Sequence, residues 1–220
     1  MDVIYCRGGN KNAPVVAQES GMSYGTRHDY TSYGNVYFVD INWKNYTWHD
    51  YVEIIRERNP VMAMTPDYEA PEQRAMLEAC INDLRTKTDV ERILVCPKFT
   101  CAVSHIPDDC IVALSVPAPT YAGFLPDLRE CTGRKIHLLG GNPHKQVDLI
   151  RKLRGVNADV VSVDGNYLAR KAALGSYFRH GRWIDVRGQG VSTAELEITS
   201  ACNIISYIRA NKDQVWKLLI

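Results

Sequence analysis

Short apolar runs recur along the chain at intervals that suit a sheet of many strands. They lack strict alternation of apolar and polar residues, which indicates strands buried on both faces, as in a parallel sheet. Eight such runs are predicted strands: Val3–Cys6, Val15–Ala17, Val36–Asp40, Val61–Met64, Ile93–Cys96, Ile111–Leu114, Ile136–Leu139 and Val160–Val163.

Segments with helical spacing of apolar residues separate several of these runs. The clearest are Trp48–Arg58, Pro71–Arg85 and His144–Leu153. Strands that alternate with helices predict right-handed βαβ units and a parallel sheet. Eight of them in about 160 residues predict a closed (β/α)8 barrel of the TIM type, with an open doubly wound sheet as the alternative.

The two ends of the chain depart from this regular alternation. Between Cys6 and Val15 there is no room for a helix, so we expect either a loop connection or a hairpin of the first two strands. A final helix is predicted from about Thr193 to Ile220. No linker or repeat interrupts the chain, and we therefore expect a single domain over residues 1–220.

Composition narrows the class of protein. The chain has 220 residues, of which 45% are hydrophobic and 23% charged, as is usual for globular proteins. The formal net charge is +1, so any contact with nucleic acid must come from a local patch. The chain has seven cysteines without a disulfide pattern, which predicts a cytoplasmic protein. No apolar stretch approaches the roughly 20 residues of a membrane span, so we expect a soluble protein that does not bind membranes.

Three carboxylates stand at strand ends, where the active sites of barrels lie. Asp40, Asp67 and Asp164 follow the third, fourth and eighth apolar runs. Each alone is compatible with helix capping or turn formation. Together they would face one mouth, where one carboxylate can act as a nucleophile while another carries a proton, as in glycosyl transfer through a covalent sugar ester.

Other strand ends offer further candidates for binding. Lys98 follows the fifth run, Ser115 and Val116 follow the sixth, and Gly140 and Gly141 follow the seventh. A glycine pair before a helix can approach a ligand closely, for example a phosphate.

Metal-binding patterns are weak. The C-x4-C pair of Cys96 and Cys101 has no second pair or histidine cluster at zinc-site spacing. His137 lies inside a predicted strand, which is typical of a core histidine. We expect no metal and no cofactor.

A basic segment with interleaved aromatic residues follows Asp164. Its candidate DNA-binding residues are Arg170, Lys171, Arg179 and Arg182. Cations mixed with rings suit a phosphate backbone and an unstacked base. The alternative is a solvated face of the last helix.

The order of strand-end residues, and the strings VYFVDINWK, KIHLLGGNP and VVSVDGNYLARKAALGSYF, resemble the queuine/archaeosine tRNA-guanine transglycosylase superfamily. They resemble most closely its phage-encoded branch that places 7-deazaguanines in DNA, the DpdA-type transglycosylases. The resemblance implies a barrel in which Asp164 is the nucleophile, Asp40 the general acid/base and Asp67 the residue that recognises the heterocycle. It also implies base contacts from the Ser115–Val116 backbone, with Lys98 in the place of the superfamily's fifth-strand glutamine.

Departures from the superfamily pattern bear on the substrate. The third-strand motif reads DINWKN instead of DSGGFQ, and the zinc-binding cluster is absent. These differences favour double-stranded DNA with a flipped guanine over tRNA, with preQ0 or a related 7-deazaguanine as the incoming base. A phage-encoded enzyme of this kind would act in the host cytoplasm.

Three alternatives stay open at this point. They are a tRNA-guanine transglycosylase, a lyase or aldolase with Lys98 as a Schiff-base amine, and a nucleic-acid-binding module without catalysis.

Overall fold

Eight parallel strands close into a barrel, in chain order, with β1 pairing to β8. The computed structural model describes residues 1–42, 44–117 and 124–212. The barrel strands are β1 Asp2–Cys6, β2 Ser23–Arg27, β3 Phe38–Asp40, β4 Met62–Met64, β5 Arg92–Val95, β6 Ile111–Ser115, β7 Lys135–Leu139 and β8 Asp159–Gly165. The fold is therefore a TIM-like α/β barrel, as predicted, and the open doubly wound sheet is excluded.

Helices and short 3-10 turns connect the strands and follow the barrel. The α-helices are α1 Ala13–Ser20, α2 Trp48–Arg58, α3 Arg74–Lys87, α4 Pro143–Gly155, α5 Tyr167–Ala173 and α6 Thr193–Asn211. The 3-10 helices are Pro71–Gln73, Ala102–His105 and Leu128–Cys131. A two-stranded antiparallel hairpin, β9 Ser176–Arg179 and β10 Arg182–Asp185, lies between α5 and α6.

The second predicted strand is wrong. Val15–Ala17 belongs to helix α1, in which Val16 and Ala17 are buried while Val15 is 51% exposed. The true second strand, β2, follows this helix and pairs in parallel with β1. The expected loop or hairpin between the first two strands is therefore also wrong, because α1 forms an ordinary crossover.

The pattern of apolar runs does not predict strand β2, because its central residue is a glycine. A Cβ atom at Gly25 would lie 2.9 Å from Ile4 Cγ2 and 3.2 Å from the ring of Phe38. The crowded barrel interior therefore requires a residue without a side chain, and the strand loses the apolar run that marks its neighbours.

The predicted helices are found, with small shifts at their ends. Helix α2 has the predicted bounds, α4 extends the predicted segment by one residue at its start and two at its end, and Pro71–Arg85 divides into a 3-10 turn and α3. The last helix begins at Thr193, as predicted, with a capping box between Ser192 and Glu195. Its described part ends at Asn211, and residues 213–220 lie outside the described chain.

A buried polar cluster joins the last helix to the first strand. Glu197 of α6 is 3% exposed, accepts a hydrogen bond from the Tyr5 hydroxyl at 2.9 Å, and is ion-paired with Arg7. Since Arg7 directly follows β1, this cluster fixes α6 against the rim at which the strands end.

Candidate active site at the barrel mouth

The carboxyl ends of the strands surround one pocket of about 360 Å³. All eight residues predicted for catalysis or base binding line it: Asp40, Asp67, Lys98, Ser115, Val116, Gly140, Gly141 and Asp164. Its volume is in the range of small-molecule sites, about 300–1,000 Å³. The barrel therefore brings together side chains that are up to 124 residues apart in sequence, from Asp40 to Asp164.

Asp164, near the end of β8, is a buried carboxylate held in place by its neighbours. It is 7% exposed, and its Oδ1 accepts a hydrogen bond from the Gly140 N–H at 2.9 Å. The Gln146 amide donates to the backbone carbonyls of both Asp164 and Gly140, at 2.7 and 2.8 Å. The loops after β7 and β8 are therefore tied together around this side chain.

Asp40, the last residue of β3, has a different environment. Burial, followed by the negative charge of Asp164, raises the pKa of Asp40 to about 7, and the Ile41 N–H, which donates to its Oδ1 at 2.8 Å, opposes this shift. Near neutral pH this carboxyl can both give and take a proton, which suits a general acid/base. Two carboxylates of one pocket thus differ in environment.

Cys6, at the end of β1, lines the same pocket and was missed in the sequence. Burial, followed by the charges of Asp164 and Asp40, raises the pKa of its thiol well above the usual value. The side chain is thus a neutral thiol beside two acids and not a thiolate nucleophile. Its place at the end of an apolar run was the available signal.

Asp67, Lys98 and Ser115 form a polar group that also lines the pocket. The Lys98 ammonium lies 3.3 Å from Asp67 Oδ2 and donates to the Ser115 hydroxyl at 3.1 Å. This group presents an acceptor, a cation and a hydroxyl to a ligand. An ammonium held by a carboxylate is poorly suited to Schiff-base formation, which needs the neutral amine.

The backbone N–H groups of Gly140 and Val116 are already engaged, and Gly141 is held in a crowded backbone conformation. The Gly140 N–H is taken by Asp164, and the Val116 N–H donates to the Leu139 carbonyl at 2.9 Å. Gly141 has φ +82°, and a Cβ atom there would lie 2.4 Å from Val116 Cγ1. These residues therefore shape the pocket wall, and the two N–H groups are not free for a ligand.

Comparison with known proteins assigns the chain to a family. The profile of a family of unknown function, DUF6610, matches residues 17–208. The chain belongs to that family. The match covers every predicted mouth residue, whereas Cys6 lies before it. No curated protein matches the chain. The resemblance to the transglycosylases therefore stays a prediction for this DUF6610 protein.

The basic segment of the DUF6610 protein does not line the mouth pocket. Arg170 and Lys171 lie in the last turn of α5, and Arg179 and Arg182 face each other across the hairpin of β9 and β10. Because these two arginines lie directly opposite each other, the hairpin end presents concentrated positive charge. Their mutual repulsion is unfavourable for the isolated hairpin. The alternative, a face of the last helix, is wrong, because the segment precedes α6.

Aromatic contacts link the start of α5 to the hairpin. The rings of Tyr167 and Trp183 are 5.4 Å apart, and the Lys171 ammonium lies 5.7 Å from both ring centroids. Tyr167 directly follows Asn166, which lines the mouth pocket. This cation–aromatic group is therefore the part of the basic segment that adjoins the mouth.

The described residues of the DUF6610 protein show neither a metal centre nor a membrane span. Within residues 1–42, 44–117 and 124–212, no group of three or more His, Cys, Asp or Glu side chains is arranged to hold a metal ion. Cys96 is buried and Cys101 exposed, and both are free thiols. In the same ranges no helix combines the length and apolarity needed to cross a bilayer.

Proposed function

We propose that this protein is a DNA base-exchange enzyme that replaces guanine with a 7-deazaguanine through a covalent ester between Asp164 and the sugar. The observation that carries the proposal is the pair of unlike carboxylates in one pocket. Asp164 is held by the Gly140 N–H, and Asp40 has a pKa of about 7. Such a division suits a nucleophile and a proton carrier at one reacting centre.

The first half-reaction breaks the bond between guanine and deoxyribose. A carboxylate oxygen of Asp164 attacks C1′, the C1′–N9 bond breaks, and its electron pair leaves with guanine. The proton that neutralises the departing base comes from Asp40, which is substantially protonated near pH 7. The products are a sugar ester on Asp164, free guanine and an ionised Asp40.

The second half-reaction reverses these roles. The N9 atom of the incoming 7-deazaguanine attacks C1′, the ester C–O bond breaks, and its electron pair returns to the Asp164 carboxylate. The proton lost from N9 passes to Asp40, which restores the starting state. Atoms and charges balance without an oxidant, a reductant or an activated nucleotide.

The Asp67–Lys98–Ser115 group is proposed to recognise the base. A carboxylate accepts hydrogen bonds from the N–H edge of a guanine-like heterocycle, and an ammonium donates to its carbonyl. Asp67 and Lys98 are 23% and 15% exposed, which leaves each within reach of a ligand. The target nucleotide must leave the stack, because its glycosidic bond is otherwise inaccessible.

Double-stranded DNA is the proposed macromolecular partner. Arg170, Arg179 and Arg182 are exposed and suit phosphate contacts, while Lys171 with its two aromatic rings suits a nucleotide beside the flipped base. The sequence lacks the C-x-C-x2-C zinc-binding cluster of the tRNA enzymes, which favours DNA, and tRNA is kept as the alternative substrate of the same chemistry.

Nucleoside mass spectrometry tests the proposal. Duplex DNA is incubated with the protein and preQ0, and a parallel reaction contains tRNA. We expect 7-deazaguanine in the DNA with wild type and with the control Asp148→Asn, whose side chain is 62% exposed on α4. Asp164→Asn should abolish exchange and ester trapping while DNA binding persists, and Asp40→Asn should lower the rate by about 10²–10⁴-fold.

Three results would overturn the proposal in different ways. Exchange only in tRNA would show that tRNA and not DNA is the substrate, and the proposed chemistry would be unchanged. Robust exchange by Asp164→Asn would exclude the covalent ester. Exchange in neither nucleic acid, with intact DNA binding, would favour the non-catalytic binding module.

A further inference from the structure

His137 is a buried polar residue of β7 that lies beneath the mouth and has no part in the steps above. Its ring is fully buried and packs against Phe38 at 5.3 Å between ring centroids. Its Nδ1 is 2.7 Å from the Ser162 hydroxyl oxygen, and its Nε2 is 3.3 Å from Asp164 Oδ1. A histidine that only fills the core does not need both contacts.

The Nε2 atom has a single candidate partner. Its contact with Asp164 Oδ1 is within ion-pair distance but outside hydrogen-bond geometry, and no other hydrogen-bond partner exists for it among the described residues. An unsatisfied buried polar atom is a cost to the stability of the fold. A small rotation toward Asp164 would remove this cost, and such contacts often tighten only when a substrate binds.

The tautomer decides what this contact does. If Nδ1 carried the only proton, it would donate to Ser162, and the Nε2 lone pair would face a carboxylate oxygen at 3.3 Å. If the Ser162 hydroxyl donates to Nδ1 instead, Nε2 carries the proton and donates to Asp164. The second arrangement gives the Ser162 hydroxyl, both ring nitrogens and Asp164 Oδ1 a hydrogen-bond partner. It also avoids the repulsion between the Nε2 lone pair and the carboxylate oxygen.

We infer that His137 is a positioning residue for Asp164, with the order of donation running from the Ser162 hydroxyl through the imidazole to Oδ1. The Gly140 N–H reaches the same oxygen at 2.9 Å. With both donors on Oδ1, the other oxygen is the one presented to C1′. The catalytic consequence rests on the proposed function, whereas the hydrogen-bond series does not.

The same donors act on the ester intermediate. When the Asp164–sugar bond breaks, the negative charge that returns to the carboxylate spreads onto Oδ1, where both donors stabilise it. Removal of one preorganised donor at a charge that develops in a transition state typically costs about 10²–10³-fold in rate. Because a carboxylate shares its charge between two oxygens, we expect about 10–100-fold here.

The first test measures the tautomer and does not depend on activity. In ¹⁵N-histidine-labelled protein, the His137 signals are assigned by their loss in His137→Gln. We expect the Nε2–H form, and Asp164→Asn should shift the Nε2 signal strongly. A Nδ1–H form, or signals unchanged by Asp164→Asn, would overturn the inference even if the protein catalyses base exchange.

The second test separates positioning from packing. Gln at position 137 keeps an N–H donor near the site of Nε2, whereas Leu fills space without one. We expect His137→Leu to lower kcat about 10–100-fold with KM little changed, and His137→Gln to stay within about tenfold of wild type. Equal losses at unchanged melting temperature would overturn the donor role. Should the Leu variant not fold, Ser162→Ala removes the hydroxyl that donates to Nδ1. We expect the Nδ1 signal of His137 to shift in this variant, and an unchanged Nδ1 signal would overturn the hydrogen-bond series.

Discussion

The Asp40 carboxyl should make the protein less stable as pH rises toward neutrality. Its pKa is about 7 in the folded protein and 3.8 in an unperturbed side chain, because burial and the charge of Asp164 disfavour ionisation. Between these values the folded protein holds a proton that the unfolded chain releases. The free energy of unfolding therefore falls from about pH 4 to about pH 7.

The size of the effect follows from the two pKa values. Each unit of pKa difference corresponds to about 1.4 kcal/mol. With 3.8 and about 7, the penalty from Asp40 grows from about 1.7 kcal/mol at pH 5 to about 4 kcal/mol at pH 8. Asn at this position does not titrate, so Asp40→Asn should gain about 2–3 kcal/mol relative to wild type over that range.

Urea unfolding followed by circular dichroism at pH 5, 6, 7 and 8 measures this difference. The comparison between variants removes the contribution of other titrating groups. Asp89→Asn is the matched control, because Asp89 is exposed and lies away from the mouth. Parallel curves for wild type and Asp40→Asn would show that Asp40 ionises at an ordinary pH, which would refute the reasoning behind its acid/base role. In Asp164→Asn the slope should be smaller, since one cause of the raised pKa is removed.

The remaining predictions concern the pocket wall and the hairpin. Gly141→Ala should destabilise the fold by about 2–4 kcal/mol in urea unfolding, because the position combines φ +82° with a Cβ clash against Val116. Gly133→Ala, with φ +73° and open space, should cost only about 1–2 kcal/mol. Replacing Arg179 and Arg182 by Ala should reduce the log–log salt slope of DNA binding by up to about two, as measured by fluorescence anisotropy.

The turn that follows the hairpin offers a control for the salt experiment. Arg187 is ion-paired with Asp185, so its charge is already neutralised locally. Arg187→Ala should leave the salt slope unchanged. An equal reduction in this variant would show that the effect comes from total charge and not from the hairpin end.

Much of the mouth could be predicted from local sequence. Asp40, Asp67, Lys98 and Asp164 each come at or just after the end of a buried strand, and all parallel strands of a barrel end at one rim. Knowledge of strand ends and of the fold class is therefore enough to place these side chains around one pocket. No contact between them needs to be known in advance.

The second strand shows where local patterns fail. A three-residue apolar run such as Val15–Ala17 fits a buried helix face as well as a strand, and only the neighbours decide. Strand β2 has little hydrophobic signal, because the space at Gly25 is taken by Ile4 and Phe38. Because the pattern does not mark the end of this strand, the sequence does not predict that Arg27, which pairs in register with Asp40, neighbours the site.

The sequence by itself therefore determined the fold class, most strands and the acids at the mouth, because these follow from periodicity and chain order. Only the tertiary structure decided how the acids differ. The raised pKa of Asp40, the neutral thiol of Cys6 and the approach of His137 to Asp164 all depend on groups from separate strands. Electrostatic energies vary with distance and burial, and both quantities exist only once the barrel has closed.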